Sequence, residues 1–128
     1  MHVRRADFAS SAHFLLLTAD YYVAAARSVT VPGTHLVVFS DDPAWCKAEL
    51  ASRLEAIAPV TVVEGNADWL DLLLMARCNR HVVSNSTYAW WGAFLSGDSE
   101  PTHPGRVHQD PAYPPPSIYP ASWRMIDP

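Results

Sequence analysis

Arg4 and Arg5 stand side by side at the end of a short apolar step, with His2 just before them and Asp7 just after. An arginine guanidinium is a fixed fork of donors that stays charged at any working pH and matches phosphate oxygens. Two of them at a strand end suit a diphosphate; a pair of solvated surface charges fits the same spacing. Ser84, Asn85 and Ser86 form a second cluster, directly before the apolar run "TYAWWG". Backbone amides left free at a helix start, beside short hydroxyl and amide side chains, make an anion site. An ordinary capping cluster accounts for the same residues. A third cluster, "FSDDPAW", offers Asp41 and Asp42. Asp42 precedes Pro43 and reads as a helix cap. Asp41 is then the freer carboxylate, able to accept from the amide-like edge of a guanine or from sugar hydroxyls. Asp68 and Asp71 open a further helix. Trp90 and Trp91 could form a sugar-stacking platform, but on a helix that follows a buried strand they are expected in the core. No metal site is expected, because the six histidines show no ligand spacing and the two cysteines, Cys46 and Cys78, form no CxxC pair.

The elements that must position these clusters alternate along the chain. The stretch "MHVRR" and residues 35–40, 60–63 and 81–84 read as short strands, valine-rich and buried on both faces. Residues 20–29 form an alanine-rich helix. A second helix starts at Asp42, and its Cys46, Leu50, Leu54 and Ile57 recur on one apolar face. A third is expected over residues 68–78 and a fourth over 86–95. Strands alternating with helices imply right-handed crossovers and a mostly parallel sheet. The fold class is therefore α/β, a Rossmann-like parallel sheet flanked by helices. In such sheets ligands sit beyond the carboxyl ends of the strands, which is where the polar clusters fall. Most of the eleven prolines lie beyond residue 98. Composition thus separates residues 1–98 from a proline-rich segment, 99–128, expected to lie extended over the surface with a brief strand near 106–108.

Composition closes off several classes. A hydrophobic fraction of 49% against 17% charged residues fits a globular chain rather than a disordered one. A net charge of -4 gives no reason to expect nucleic acid as a partner. Cys46 and Cys78 read as small buried hydrophobes of a reducing compartment. No apolar run approaches the roughly 18 residues that span a bilayer, and the first residues lack the architecture of a signal peptide. A cytoplasmic location is expected.

Taken in order, the motifs resemble a known family. "HVRRADF" is similar to the HxRRGDY motif of the bacterial α-1,2-fucosyltransferases, glycosyltransferase family 11. "VVFSDDPAWC" resembles that family's next strand and helix. "DLLLMARCNRHVVSNSTYAWWGAFLS" resembles its most characteristic stretch, and "YPASWRMID" its closing segment. The resemblance implies that residues 1–98 are the GDP-sugar-binding, C-terminal lobe of a two-lobed GT-B fold. The first lobe, in the same or another chain, is then an implied partner, and the chain reads as a fragment or a truncated gene product. The implied reaction transfers L-fucose from GDP-fucose to a galactose-type 2-hydroxyl of a glycan acceptor, with inversion and with no metal or other cofactor. It is implied to occur in the cytoplasm or at the inner face of the membrane. By motif match, Arg4 carries the leaving β-phosphate with Arg5 in support, and His2 lines the nucleotide pocket. Ser84, Asn85 and Ser86 surround the nucleotide, with Asp41 as a weaker contact. Asp7 falls at the catalytic centre by motif, and a carboxylate paired with arginine suits positioning better than proton abstraction. A GDP-sugar-binding module without catalysis, or a truncated remnant, is the alternative. Two departures stand out: Ala6 replaces the motif's glycine and Phe8 its tyrosine.

Overall fold

In a computed structural model covering residues 1–98, 100–114 and 118–128, three short valine-rich strands pair in parallel. They are β1 (His2–Val3), β2 (Leu36–Ser40) and β3 (Val60–Val62), in the order β1-β2-β3. His2 stands opposite Phe39, and Leu36 opposite Val60. A second parallel pair joins β4 (Thr102–Pro104) to β5 (Arg124–Ile126).

The strand expected over residues 81–84 is reduced to one bridge, Val82 to Thr102. Its backbone nevertheless links the two sheets. His2 N donates to Val82 O at 2.9 Å, Val83 N to Thr102 O at 2.8 Å and Thr102 N to His81 O at 2.8 Å. The hydrogen-bonded order across the molecule is therefore β3, β2, β1, the Val82 segment, β4, β5. Chain order reverses beside β1, and in an open parallel sheet such a reversal opens a crevice at the carboxyl ends of the strands.

Helices cover both faces. On one side lie α1 (Ala19–Val29) and a helical run made of α2 (Pro43–Trp45), a π segment (Cys46–Leu50) and α3 (Ala51–Glu55). On the other lie α4 (Asp68–Met75) and α5 (Thr87–Ser96), packed against each other. Val3, Val38 and Val82 share a core with Tyr21, Tyr22, Leu50 and Leu54. Val83 packs instead with Ala89, Ala93 and Trp123. Neighbouring strand side chains point to opposite faces, so Val82 and Val83 serve different layers. Cys46, Leu50 and Leu54 are all buried, as their spacing predicts. Spacings of four drift by about 40° per step on an ideal α-helix, and the π segment lies across the first of them. Asp42 Oδ1 accepts from Trp45 N at 3.0 Å, with Pro43 in the first turn, so the cap is realised.

Two expectations are corrected. Residues 102–104 do not lie over the surface but form a buried strand in mid-sheet. Proline lacks a ladder donor, and here Pro101 and Pro104 flank or end β4 while Thr102 donates inward. The strand thus falls at 102–104 rather than 106–108; residues 115–117 of the proline-rich segment are outside the described residues. Trp91 is not core: it is 49% exposed. Small residues, Ala89, Gly92 and Ala93, occupy the inward face of α5, and a Cβ on Gly92 would meet Met75 Cβ at 3.0 Å. That close approach of α5 to α4 leaves Trp91 outside, while Trp90 packs on Trp123 and donates from Nε1 to Ile118 O at 2.9 Å. Among the described residues no helix is long and apolar enough to cross a membrane.

Candidate functional site

At the carboxyl edge of β1 and β2, beside the reversal, lies a cavity of about 190 Å³. His2, Arg4, Phe39, Ser40 and Asp41 line one side, and Asp68, Asp71 and Tyr88 the other. A larger cavity of about 480 Å³ sits at the opposite, amino edge, among residues of the α1–β2 loop and residues 77–80. It holds none of the clusters singled out from the sequence, and the switch-point geometry favours the smaller one.

Arg4 is held at its inner nitrogen. Its Nε lies 2.9 Å from Asp7 Oδ1 and 3.2 Å from Asp41 Oδ2, and its guanidinium stands 5.7 Å from the centre of the Phe8 ring. Among the described residues its Nη nitrogens make no hydrogen bond, so the outer half of the fork is available to an anion. The bond to Asp7 raises the arginine further above its ordinary value. The same bond holds the Asp7 carboxyl below the usual carboxylate range, which leaves it ionised but weakly basic. Asp41 does more than pair. Its two oxygens accept from Arg5 N at 2.8 Å and Ala6 N at 3.2 Å, so β2 fixes the turn that follows β1. The carboxylate expected to be free for a ligand is thereby committed to the chain. No residue other than glycine has a positive φ among the described residues, so Ala6 carries no strain in place of the motif's glycine.

His2 is 4% exposed and its Nδ1 lies 3.0 Å from Ser84 Oγ. Burial, with the N-terminal ammonium and Arg4 adding to it, lowers its pKa to about 3. The ring is neutral at working pH and serves as a hydrogen-bonding group rather than a base. Tyr88, whose ring centre is 5.2 Å from that of His2, donates to Asp68 O at 2.5 Å. Burial pushes its phenol up to about 12, with Asp71 and Asp68 adding to the effect.

The structure brings together His2, Arg4, Asp7 and Asp41, with Ser84 directly behind His2. It does not bring Arg5, which turns away: its guanidinium lies 3.7 Å over the Trp45 ring and its Nε 3.6 Å from Asp42 Oδ2. Nor does it bring Asn85, whose Nδ2 donates to Leu15 O at 2.8 Å and Val107 O at 3.0 Å, tying two loops together. Ser86 stands at the N-cap of α5 but makes no side-chain cap bond, so the first amides of that helix keep their donors. Asp68, Asp71 and Tyr88 are the residues that the sequence reading leaves out of the site. The signal for the two carboxylates was their place in the first turn of α4, after a strand. Among the described residues no three His, Cys, Asp or Glu side chains group as metal ligands.

The model of glycosyl transferase family 11 matches residues 1–104 of the chain. An alpha-1,2-colitosyltransferase of Escherichia coli is 38% identical over 74% of this chain and 35% of its own length. The O-antigen biosynthesis glycosyltransferase WbnK of Escherichia coli is 34% identical over 75% and 33%. A galactoside 2-alpha-L-fucosyltransferase SEC1 of Bos taurus is 26% identical over 77% and 28%. The chain thus spans about a third of the length of these curated relatives. No solved structure matches it.

Proposed function

The chain belongs to glycosyl transferase family 11, and we propose that it is the donor-binding part of such an enzyme, a Rossmann-like lobe of a GT-B fold that holds GDP-fucose. The observation that carries this reading is Arg4. Its guanidinium is fixed at Nε by two carboxylates and open at its outer nitrogens, in a cavity beside the strand-order reversal. When the bond from sugar to phosphate breaks, negative charge grows on the leaving diphosphate. A prefixed cation at that point lowers the barrier without reorganising. The free amides opening α5 suit the same diphosphate, and His2, neutral and braced by Ser84, lines the pocket beside it.

The reaction we assign to the complete enzyme is transfer of L-fucose to a galactose-type 2-hydroxyl of a glycan, with inversion and without a metal, on the cytoplasmic side of the membrane. The acceptor hydroxyl must lose a proton. Asp7 is a poor base near neutrality because Arg4 stabilises its charged form, so Asp7 acts as the residue that positions Arg4. We assign the base, the acceptor cleft and the closure that excludes water to the rest of such an enzyme, since this chain spans about a third of its relatives' length. A second reading follows from that same fact: the chain binds GDP-sugars without turning them over. Incubating the chain with GDP-fucose, with and without a galactoside, separates the two. GDP release with either reagent set supports a working donor site. Nucleotide binding with no release supports the binding module, and no binding at all contradicts both.

A further inference from the structure

The larger cavity, about 480 Å³ at the amino edge of the sheet, lies on the line of β1 carried backward. Met1 N donates to Val37 O at 2.9 Å, and Phe39 N donates to Met1 O at 3.0 Å. On the other side His2 N donates to Val82 O at 2.9 Å. Met1 thus sits between β2 and the Val82 segment, and both Val37 and Val82 line the cavity behind it. Two backbone donors face that space. In a strand the N–H and C=O of one residue turn to the same neighbour. Val37 O turns to β1, so Val37 N does too; the β3 side is served by Leu36 N and Val38 O. Val82 O also turns to β1, while Val83 N and His81 O serve β4. Among the described residues neither Val37 N nor Val82 N has a partner, and Val82 is only 3% exposed. Buried backbone donors are almost always paired.

The parallel register names the acceptors these donors need. For Val82 N it is the carbonyl of a residue bonded directly to Met1 N, and for Val37 N the carbonyl of the residue before that. A free peptide cannot bring its carbonyl carbon within bonding distance of Met1 N, so the register calls for a covalent join. The Met1 amino group points the same way. It is a buried ammonium in a strand ladder, and burial lowers it below its ordinary value; a peptide nitrogen makes the same bond to Val37 O with no charge to bury. Alternation sets the side chains. Met1 packs with Val29 and Leu36, which line the cavity beside Val31, and the second residue back shares that apolar face. We propose that the cavity is a slot for a continuation of β1: at least two extended residues joined to Met1, parallel to β2, with an apolar side chain against Val29 and Leu36. The chain spans about a third of its relatives' length, so a complete enzyme has residues to place there. The slot holds from behind the strand that presents His2 and Arg4.

The test is amide hydrogen exchange followed by NMR, with thermal unfolding beside it, on three chains. One is unmodified, one carries Thr-Val-Thr ahead of Met1, and one carries Thr-Asp-Thr there. In the unmodified chain the Val37 and Val82 amides should exchange faster than the bonded amides of Phe39 and Val83. The Thr-Val-Thr extension should slow both at least about tenfold and raise Tm by about 5 °C. Thr-Asp-Thr has the same backbone but turns a carboxylate to the apolar wall, and should do neither. Val37 and Val82 amides already as protected as Phe39 in the unmodified chain overturn the proposal. So does a Thr-Val-Thr extension that leaves both amides unchanged, which would give the cavity to another occupant. Equal protection by Thr-Asp-Thr overturns the apolar slot, and equal protection by free Thr-Val-Thr peptide overturns the covalent continuation. None of these readings depends on GDP, so failure here leaves the donor-site reading to its own test.

Discussion

Replacing Asp41 with alanine removes a side chain that joins the end of β2 to the turn after β1. Its oxygens accept two backbone amides, at 2.8 and 3.2 Å, and approach Arg4 Nε at 3.2 Å. Hydrogen bonds to a charged group contribute about 1.5–3 kcal/mol each. The longer bond and a side chain that is 20% exposed argue for the lower end, so the two together contribute about 3 kcal/mol. Total stability for a domain of this kind is about 5–15 kcal/mol, and the loss corresponds to a fall in Tm of about 10 °C. Affinity for GDP should fall about tenfold as well, because Arg4 loses one of the two carboxylates that orient its fork. The control is Asp7→Ala, which removes the exposed partner of the same arginine. Exposed pairs contribute little, so Tm should stay within about 2 °C of the unmodified chain. Thermal unfolding followed by circular dichroism, with a GDP titration beside it, reads both quantities. An Asp41→Ala chain that melts with the unmodified one refutes the reasoning, and so does an Asp7→Ala chain that melts as early as Asp41→Ala.

Three further outcomes follow from the same geometry. His2 has a folded pKa near 3 against an ordinary value of 6.5, so in the window between them the unfolded chain binds a proton that the folded chain does not. Its contribution is full above about pH 6.5 and is lost at about 1.4 kcal/mol per pH unit as pH falls toward 3. Urea unfolding at pH 7 and pH 5 should show this slope, and His2→Gln should flatten it by about one proton; an unchanged slope would mean that the ring is charged in the folded state. Gly92→Ala gains about 1 kcal/mol of helix propensity but places a Cβ 3.0 Å from Met75 Cβ, an overpacking cost of about 1–3 kcal/mol. A net loss near 1 kcal/mol is expected from denaturant titration, and a net gain would show that α4 shifts freely against α5. Asn85→Asp removes both donors to Leu15 O and Val107 O and sets a carboxylate against two carbonyls. It should cost about 2–4 kcal/mol in the same titration; a neutral result would remove Asn85 from the set of loop ties.

The parts of the molecule legible in the sequence are those fixed by local pattern. The apolar step at Val3 became β1, two valine runs became β2 and β3, the Cys46–Leu50–Leu54 face became core, and Asp42 before Pro43 became a cap. Each of these depends on neighbours within a few residues. What was not legible depends on pairing at a distance. β4 sits in a proline-rich stretch whose composition argues against a strand; only its partners at His81 and Val83 and in β5 make it one. The exposure of Trp91 follows from the small residues of α5 meeting Met75, a contact that no periodicity in α5 reveals. In the site, the arginine motif offers two cations, but beyond the end of β1 their side chains diverge, Arg4 into the cavity and Arg5 onto Trp45. Asp68 and Asp71 are far from Arg4 in sequence and reach it only because β3 and the Val82 segment lie on opposite sides of β1.

The central claim is that Arg4 is the phosphate-binding group of a GDP-sugar site. Titrating the chain with GDP and with UDP, and repeating the GDP titration on Arg4→Ala and Arg5→Ala, tests it most directly. Saturable binding that prefers GDP, weakened at least about tenfold by Arg4→Ala and little by Arg5→Ala, is the expected result, since a charged hydrogen bond contributes at least about one such factor. Binding that survives Arg4→Ala, or its absence in a chain shown by circular dichroism to be folded, contradicts the claim.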